Sequence, residues 1–222
     1  MKNPVPYIIR DNTFWVSPER CLYWEEKNTL ILADLHLGKS GHFRKSGIAV
    51  PQNVYKADLQ RLIAQLYLFK VDRVIIAGDL THSSVNKELD LFLKWRKDFS
   101  LLQIDLVKGN HDILEDGWYA EANIEVSSWK LTEPPFIFLH DLKAEKKLAE
   151  EEKDLYRFTG HVHPGITLKG AGKQTLRFPC FYFTKEYCIL PAFSRFTGTF
   201  NVKPEKNETA FAIVGESIMK LP

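Results

Sequence analysis

The hydrophobic positions of the chain fall into short runs that end abruptly in polar residues. Four runs of about four residues are rich in Ile, Val, Leu and Phe, a composition typical of buried strands. They are Leu30–Ala33, Val74–Ala77, Ile104–Val107 and Phe136–Leu139. The residue that follows each run is Asp, Gly, Lys or His, so each predicted strand ends in a polar turn.

Two longer segments between these runs have the periodicity of amphipathic helices. Residues 54–69 separate the first two runs and residues 86–99 the second and third, and each segment places its large apolar side chains on one broad face. The resulting strand–helix–strand–helix order predicts parallel strand pairing with right-handed crossovers.

The C-terminal third has a different pattern, with strands joined by turns and no long helix. The predicted strands are Ile166–Leu168, Phe178–Phe183, Tyr187–Leu190 and Ala210–Val214. With the parallel half, they predict an α/β fold, a four-layer αββα sandwich of two mixed sheets flanked by helices. We expect residues 1–222 to form a single domain.

One segment departs from both patterns. Between Asp141 and Asp154, ten of 14 residues are charged. This composition favours a solvated helix or a loose insertion, with a partner-binding element as the alternative.

Composition narrows the class of protein. The 222 residues are 45% hydrophobic and 26% charged with a net charge of +2, which excludes a strongly basic binder but leaves room for a local basic patch. Three cysteines without a CxxC pair indicate neither a disulfide framework nor a zinc ribbon. No apolar run approaches the roughly 20 residues that span a bilayer, so we expect a soluble, cytoplasmic protein.

The polar residues that end the strands carry the candidate chemistry. They form five motifs, and these motifs contain five of the seven histidines. The motifs are Asp34-Leu-His36, Gly78-Asp79, Gly109-Asn110-His111-Asp112, His140 and Gly160-His161-Val-His163. Because ligands bind beyond the carboxyl ends of the strands in open α/β sheets, we expect these motifs to converge on one cleft.

Imidazole and carboxylate together suit Mn, Fe, Zn or Co and disfavour Ca²⁺. In an Asp-x-His motif on a strand end, the two-residue period lets both side chains face one metal ion. Seven candidate ligands are too many for one ion, and Asp79 is the best candidate for a carboxylate that bridges two. Each motif alone also fits a structural role, as a turn, a loop hydrogen bond or a buried histidine, but the ordered set favours a dinuclear centre.

The ordered set, from Asp34 to about His163, resembles the calcineurin-like metallophosphoesterase superfamily, whose αββα sandwich agrees with the strand pattern. The resemblance implies Asp34, His36 and His163 on one ion, Asn110, His140 and His161 on the other, and Asp79 between them. It implies that His111 contacts the phosphate and assists the leaving group, with Asp112 as its hydrogen-bonded partner. The alternative for Asp112 is an N-cap of a short turn over residues 113–116.

The flanking segments resemble a narrower group, the bacterial ligase-associated DNA-damage-response metallophosphoesterases. They are LADLHLGKSGHFRKSGIAVP, the Gly-Asp-Leu-Thr-His step, FPCFYF and PAFSRFTG. The resemblance implies a Mn-dependent phosphodiesterase and endonuclease that acts on single-stranded or looped DNA. It also implies association with an ATP-dependent DNA ligase and a helicase. The charged segment 141–154 does not align with this pattern.

The substrate contacts are predicted from the loop after the first motif. Lys39 and Arg44 place cations near the cleft, with Phe43 between them, and a guanidinium can fork onto phosphate oxygens. An ordinary solvated loop is the alternative. His82 could touch substrate, lie beside Asp79 or make a structural hydrogen bond. Arg195 is a weaker candidate for a phosphate contact.

Two other functions fit part of the pattern. Asp-Leu-His-Leu followed by Gly-Asn-His-Asp also resembles the nucleotide-lipid pyrophosphatases of lipid A synthesis (UDP-diacylglucosamine hydrolases), which need an apolar groove, and another small phosphoester hydrolase would use the same ligands. A non-catalytic scaffold of the kind found in vesicle-coat subunits has this fold but loses ligands. All seven candidate ligands and His111 are present here.

Overall fold

The structure, a computed structural model, describes residues 3–45, 47, 53–82, 85–170 and 174–221. Its strands form two sheets, and the first sheet has strand order β1 to β7. These strands are β1 Val5–Ile9, β2 Asn12–Ser17, β3 Cys21–Trp24, β4 Thr29–Leu32, β5 Arg73–Ile76, β6 Gln103–Val107 and β7 Glu125–Ser127. From β1 to β4 the pairing is antiparallel, and from β4 to β7 it is parallel. The predicted parallel half is confirmed, and the N-terminal meander β1–β3 adds to it.

The second sheet contains the predicted C-terminal strands and several that the pattern missed. Its strands are β8 Lys130–Glu133, β9 Phe136–Leu139, β10 Tyr156–Thr159, β11 Pro164–Lys169, β12 Thr175–Phe183, β13 Tyr187–Ile189, β14 Phe200–Asn201, β15 Thr209–Val214 and β16 Ser217–Leu221. Strands β9, β10 and β13 are parallel, whereas β8, β11 and β15 pair antiparallel with their neighbours β9 and β12. The sheet is therefore mixed, as predicted.

Four α-helices lie in the described residues: α1 Lys39–Lys45, α2 Asn53–Phe69, α3 Lys87–Asp98 and α4 Asp116–Glu121. Helices α2, α3 and α4 contribute Leu62, Phe92 and Tyr119 to a core cluster. The same cluster contains the residues of β4 to β6 that face these helices. The helices thus cover one face of the first sheet. None of the helices in the described part of the chain is long and apolar enough to span a bilayer.

A second core cluster fills the space between the two sheets and is dominated by aromatic rings. The ring of Phe136 lies edge-on to Phe14 at 5.2 Å and to Trp24 at 5.0 Å. Phe158 lies 5.1 Å from Phe14. Such edge-to-face contacts add to the hydrophobic gain of burial and fix how the sheets stack.

The charged segment 141–154 folds into two short 3-10 helices, Leu142–Lys147 and Glu150–Glu152, rather than one solvated helix. Its apolar Leu148 packs against Ile137 on the outer face of the second sheet. Glu152 forms an ion pair with Lys130 of β8. The segment is therefore the thin fourth layer of the sandwich, held by the packing of Leu148 and by ion pairs that include Glu152–Lys130 and Glu145–Arg157.

Candidate metal centre

The predicted ligands gather at the carboxyl ends of β4, β5, β6, β9 and β10. The parallel pairs β4–β5–β6 and β9–β10 end at the same edges of their sheets, so the turns that follow them meet. In each of two groups of three residues, donor atoms lie within 4.8 Å of one another. The first group is Asp34, His36 and His163, and the second is Asp79, His140 and His161.

The first group presents two imidazoles and one carboxylate to a common point. Nε2 of His36 lies 3.4 Å from Nε2 of His163, and that nitrogen lies 3.5 Å from Oδ1 of Asp34. Asp34 is fully buried and His36 nearly so. A buried carboxylate facing two imidazole nitrogens is a donor set that a divalent cation would stabilise.

In the second group, His140 is oriented by a backbone carbonyl just after β5. Nδ1 of His140 lies 3.2 Å from the Ala77 carbonyl oxygen, to which it donates, so Nε2 faces the cleft with its lone pair. This Nε2 lies 3.5 Å from Oδ2 of Asp79, 3.1 Å from Oδ1 of Asn110 and 3.0 Å from Nδ1 of His161. The structure therefore brings Asn110 together with the three donors of this group.

Backbone hydrogen bonds link the two groups. The backbone N–H of His161 donates to both carboxylate oxygens of Asp34, at 3.2 and 3.0 Å. Burial raises the pKa of Asp79, and the negative charge of Asp34 adds to the effect. Two neighbouring buried carboxylates repel each other, and bound cations would relieve this repulsion. The bridging role of Asp79 stays a prediction.

The ligand residues have a backbone conformation that the sequence did not predict. Asp34, His36, His161 and His163 have φ of 55°, 50°, 67° and 51°, in the left-handed region. The ligand pairs two residues apart therefore lie beyond the strand ends. The two-residue period of a strand does not bring their side chains together, contrary to the sequence interpretation. Asp79, with φ 53°, shares this conformation. Such backbone costs free energy and clusters at functional sites.

Close approach explains the glycines in these motifs. A Cβ atom at Gly78 would overlap the ring of His140, and one at Gly109 would overlap the carboxylate of Asp79. At Gly160 a Cβ would lie 2.7 Å from Oδ2 of Asp34. The glycines therefore admit the donor side chains to the cleft.

His111 lies beside the donor groups and belongs to neither of them. Its backbone N–H donates to Oδ1 of Asp79 at 2.9 Å. Its ring stacks on His82, with centroids 4.5 Å apart, and lies edge-on to His36 at 5.4 Å. This position leaves the imidazole of His111 able to contact a phosphate held at the centre.

The predicted hydrogen bond between Asp112 and His111 is replaced by bonds to a different set of partners. The Asp112 carboxylate accepts from the backbone N–H of Thr81 at 2.8 Å, from the Thr81 hydroxyl at 3.0 Å and from the backbone N–H of Gly109 at 2.9 Å. The N-cap alternative is also wrong, because α4 begins at Asp116 with Glu115 as its N-cap. Asp112 ties the turn after β6 to the turn after β5, and so acts on the backbone around His111.

His82 contacts His36 rather than Asp79. Its Nδ1 lies 3.4 Å from Nδ1 of His36. Burial, with the nearby positive charge of Lys39, lowers the pKa of His36 to about 2 and that of His82 to about 4. Both rings are therefore neutral at pH 7, which is the form that binds metal or accepts a hydrogen bond.

The predicted substrate cations occupy α1. Lys39 begins the helix, half-buried, and burial lowers its pKa. The Arg44 guanidinium lies 2.8 Å from the buried Glu88 carboxylate of α3. Sequence reasoning missed Glu88, because nothing local marks a partner 44 residues away. The Phe43 ring lies edge-on to Phe196 at 5.6 Å.

The Arg195 side chain is paired with an acid. Its guanidinium lies 3.3 Å from the Glu19 carboxylate, and its backbone N–H donates to Asp58. The backbone of this segment nevertheless supports the first ligand, since the N–H of Ser194 donates to the Asp34 carbonyl oxygen at 3.1 Å. The structure thus favours a positional role for the segment over a phosphate contact by Arg195.

The complete donor set fits two borderline divalent cations. Four imidazoles, two carboxylates and one amide oxygen surround the cleft, and none of the imidazole positions suits an all-oxygen calcium cage. A centre for two ions is the arrangement that metal-dependent phosphoesterases use for phosphoryl displacement.

The comparisons with known proteins agree with a metal-dependent phosphoesterase. The family model of the calcineurin-like phosphoesterases matches residues 27–182, and the chain belongs to this family of metal-dependent phosphoesterases, which use a dinuclear metal centre. A search of curated proteins found no match.

Solved structures that are similar to the chain include the two that follow. The Pseudomonas putida nuclease MPE is 27% identical with a TM-score of 0.81, over 99% of this chain and 100% of that one. This full-length match supports the narrower resemblance to the ligase-associated type. Zinc-bound Vps29 from Entamoeba histolytica is 15% identical with a TM-score of 0.37, over 87% of this chain and 96% of that one.

Proposed function

We propose that this phosphoesterase is a phosphodiesterase that cleaves DNA, an endonuclease for single-stranded or looped DNA in repair, with two Mn²⁺ ions. The observation that carries the proposal is His111, which stacks on His82 and is bonded to Asp79 at the edge of a two-group metal centre. The full-length similarity to a protein described as a nuclease supports the choice of substrate.

The predicted ligands divide into one set for each ion and one shared carboxylate. Asp34, His36 and His163 would hold one ion, Asn110, His140 and His161 the other, and Asp79 would contact both. The ions, when bound, would lower the pKa of a water and neutralise charge that develops on the phosphate.

His111 would contact the phosphate and give a proton to the leaving oxygen. Its position depends on the hydrogen bond that its backbone N–H donates to Asp79, so His111 and this ligand are held together. The hydrogen bonds of Asp112 to Thr81 and Gly109 keep the two turns in register. Lys39 and Arg44, both on α1, would hold phosphates of the substrate strand.

A substrate panel with Mn²⁺ tests this proposal. The panel contains a single-stranded circle, a hairpin, a duplex, a nucleotide monophosphate and a nucleotide-lipid diphosphate, with Asp34→Ala as the inactive control. Cleavage of the circle and the hairpin is expected. Turnover of only the nucleotide-lipid diphosphate would instead assign a pyrophosphatase, and turnover of only the monophosphate a small phosphoester hydrolase.

The proposed setting in repair includes an ATP-dependent DNA ligase and a helicase as functional partners. It rests on the resemblance of the flanking segments. Co-purification of either enzyme with the tagged chain tests the association. Loss of the enzyme on nuclease treatment would show that DNA mediates the contact, and its retention would show a protein contact. Absence of both enzymes would contradict a direct association.

A further inference from the structure

The chain that follows β13 runs from the second sheet to the first and bonds to the backbone at the first metal ligand. Strand β13 belongs to the second sheet and β4 to the first. The backbone N–H of Phe193 donates to the carbonyl oxygen of Ala33, directly after β4, at 2.8 Å. The N–H of Ser194 donates to the carbonyl oxygen of Asp34 at 3.1 Å. Residues 192–194, which we call the bridging segment, therefore hold the backbone from which the Asp34 carboxylate projects.

Asp34 needs such support because its backbone conformation is unfavourable. Its φ of 55° lies in the left-handed region, which costs free energy and persists only where the surrounding structure fixes it. The N–H of Asp34 donates to the carbonyl oxygen of Gly78 at 3.0 Å, while its own carbonyl oxygen accepts from the bridging segment. The two peptide groups of Asp34 are thus held by two different parts of the chain.

Two arginine side chains hold the carbonyl oxygens of the bridging segment. Arg20, in the turn between β2 and β3, donates from one guanidinium nitrogen to the carbonyl oxygens of Ala192 and Ser194, at 3.1 and 2.8 Å. Arg61 of α2 donates to the carbonyl oxygen of Phe193 at 2.5 Å, and its guanidinium lies 4.3 Å from the centre of the Phe193 ring. All three carbonyl groups of residues 192–194 therefore bond to a guanidinium.

Buried acids hold Arg61 in its turn. Its guanidinium lies 2.8 Å from Asp58 and 3.5 Å from Glu19, and all three side chains are buried. Asp58 also accepts from the backbone N–H of Arg195. Burial lowers the pKa of Arg20 to about 10, with a smaller effect from the charges of Arg61 and Arg195, so Arg20 stays charged at pH 7. Because a buried charge is costly unless it is paired and hydrogen-bonded, this network favours one geometry.

We propose that Arg20 and Arg61 form an arginine clamp that positions Asp34 for metal binding through the bridging segment. Both arginines are positioning residues, because they act on Asp34 through the backbone of residues 192–194. The proposal rests on the part of the proposed function in which the first donor group binds a metal ion, and it does not depend on the substrate. It gives a role to the PAFSRFTG segment, which contains the bridging segment.

The affinity of each donor group for Mn²⁺ tests the clamp without catalysis. His140→Ala leaves only the first donor group complete, and His36→Ala leaves only the second. In each of these two backgrounds, electron paramagnetic resonance of free Mn²⁺ gives the affinity of the remaining group. Adding Arg20→Ala should lower the affinity of the first group about tenfold, the lower end of the loss for a residue that orients a ligand. The affinity of the second group should not change.

Arg61→Lys is the second test variant, since Arg61→Ala would leave Asp58 and Glu19 buried without their partner. Lysine keeps the charge but lacks the fork that reaches Phe193, so the loss should again be confined to the first group. Arg96→Ala is the matched control, because Arg96 is also a buried arginine that donates to backbone carbonyl oxygens. Its acceptors are Phe99, Leu102, Ala122 and Asn123, and neither donor group should lose affinity.

The outcomes separate the clamp from a general effect on folding and from the nuclease. Equal losses at both donor groups, or unchanged affinity at the first group in folded Arg20→Ala and Arg61→Lys proteins, would overturn the clamp. If affinity is unchanged while the wild type cleaves DNA, the clamp is wrong and the nuclease stands. If the loss is confined to the first group while the wild type cleaves no DNA, the clamp stands and the nuclease fails. A first group that binds no Mn²⁺ in the His140→Ala background overturns the clamp.

Discussion

Nδ1 of His82 lies 3.4 Å from Nδ1 of His36, on the side of the His36 ring opposite its contact with His163. With Nε2 turned toward His163, His36 can donate its Nδ1–H to His82. A metal-ligating imidazole commonly donates its second N–H in this way, which fixes its tautomer and orientation. His82 thus supports a ligand on one side and stacks on His111 on the other.

His82→Ala should therefore weaken metal binding at the first donor group more than at the second. The expected loss of affinity is about 10- to 100-fold, the usual effect of removing such a partner. Titration with Mn²⁺ by calorimetry measures it. His42→Ala, which removes an exposed imidazole from the same surface, is the control. Equal affinity at both sites in His82→Ala would show that the contact with His36 does not support the ligand.

His111→Ala should retain two bound ions and lose most turnover. Its imidazole is outside both donor groups, and a positioned acid contributes roughly 10²- to 10⁴-fold to rate. Metal content after gel filtration and kcat on single-stranded DNA, whose alkoxide leaving group needs a proton, are the two measurements. A parallel loss of metal would mean that His111 is a ligand.

Asp79→Asn should deplete both metal sites. The buried carboxylate faces His140 with one oxygen and accepts the His111 N–H with the other, and the charge of Asp34 reaches it. Replacement by an amide removes the negative charge that both cations would share. Elemental analysis checks the result, and unchanged metal content in a folded Asp79→Asn protein would rule out the bridging role.

Arg44→Ala should reduce kcat/KM on single-stranded DNA by roughly tenfold, the loss expected for a charge-assisted phosphate contact. Hydrolysis of a small activated diester should change little, because such a substrate does not reach α1. Lys94→Ala, an exposed cation on α3, is the matched control. Equal losses on both substrates would indicate that Arg44 acts through its ion pair with Glu88 on the fold of α1.

The sequence predicts the parts of this fold whose residues are buried on both sides. Strands β4, β5 and β9 consist mainly of consecutive apolar residues, β6 is interrupted by Asp105, and each of the four leads into a candidate ligand motif. It did not predict β1, because that edge strand is half exposed and contains Pro6, nor β10, where the buried Arg157 interrupts the apolar pattern.

The metal ligands could be predicted because their residue types and their order are recognisable in the sequence. The long-range contacts of the site could not. The ligand motifs are local and recognisable, so their convergence followed from parallel strands. The partners of Asp112 and Arg44 lie tens of residues away, at Thr81 and Glu88, and no local pattern marks them.

The central claim is that five distant turns form one centre for two cations. Anomalous scattering from crystals of the Mn-loaded protein tests it most directly. Two manganese peaks are expected, one within about 2.3 Å of donor atoms of Asp34, His36 and His163 and one equally close to His140 and His161. No peak in this cleft, or a single peak that leaves one donor group without a metal ion at saturating Mn²⁺, would contradict the account.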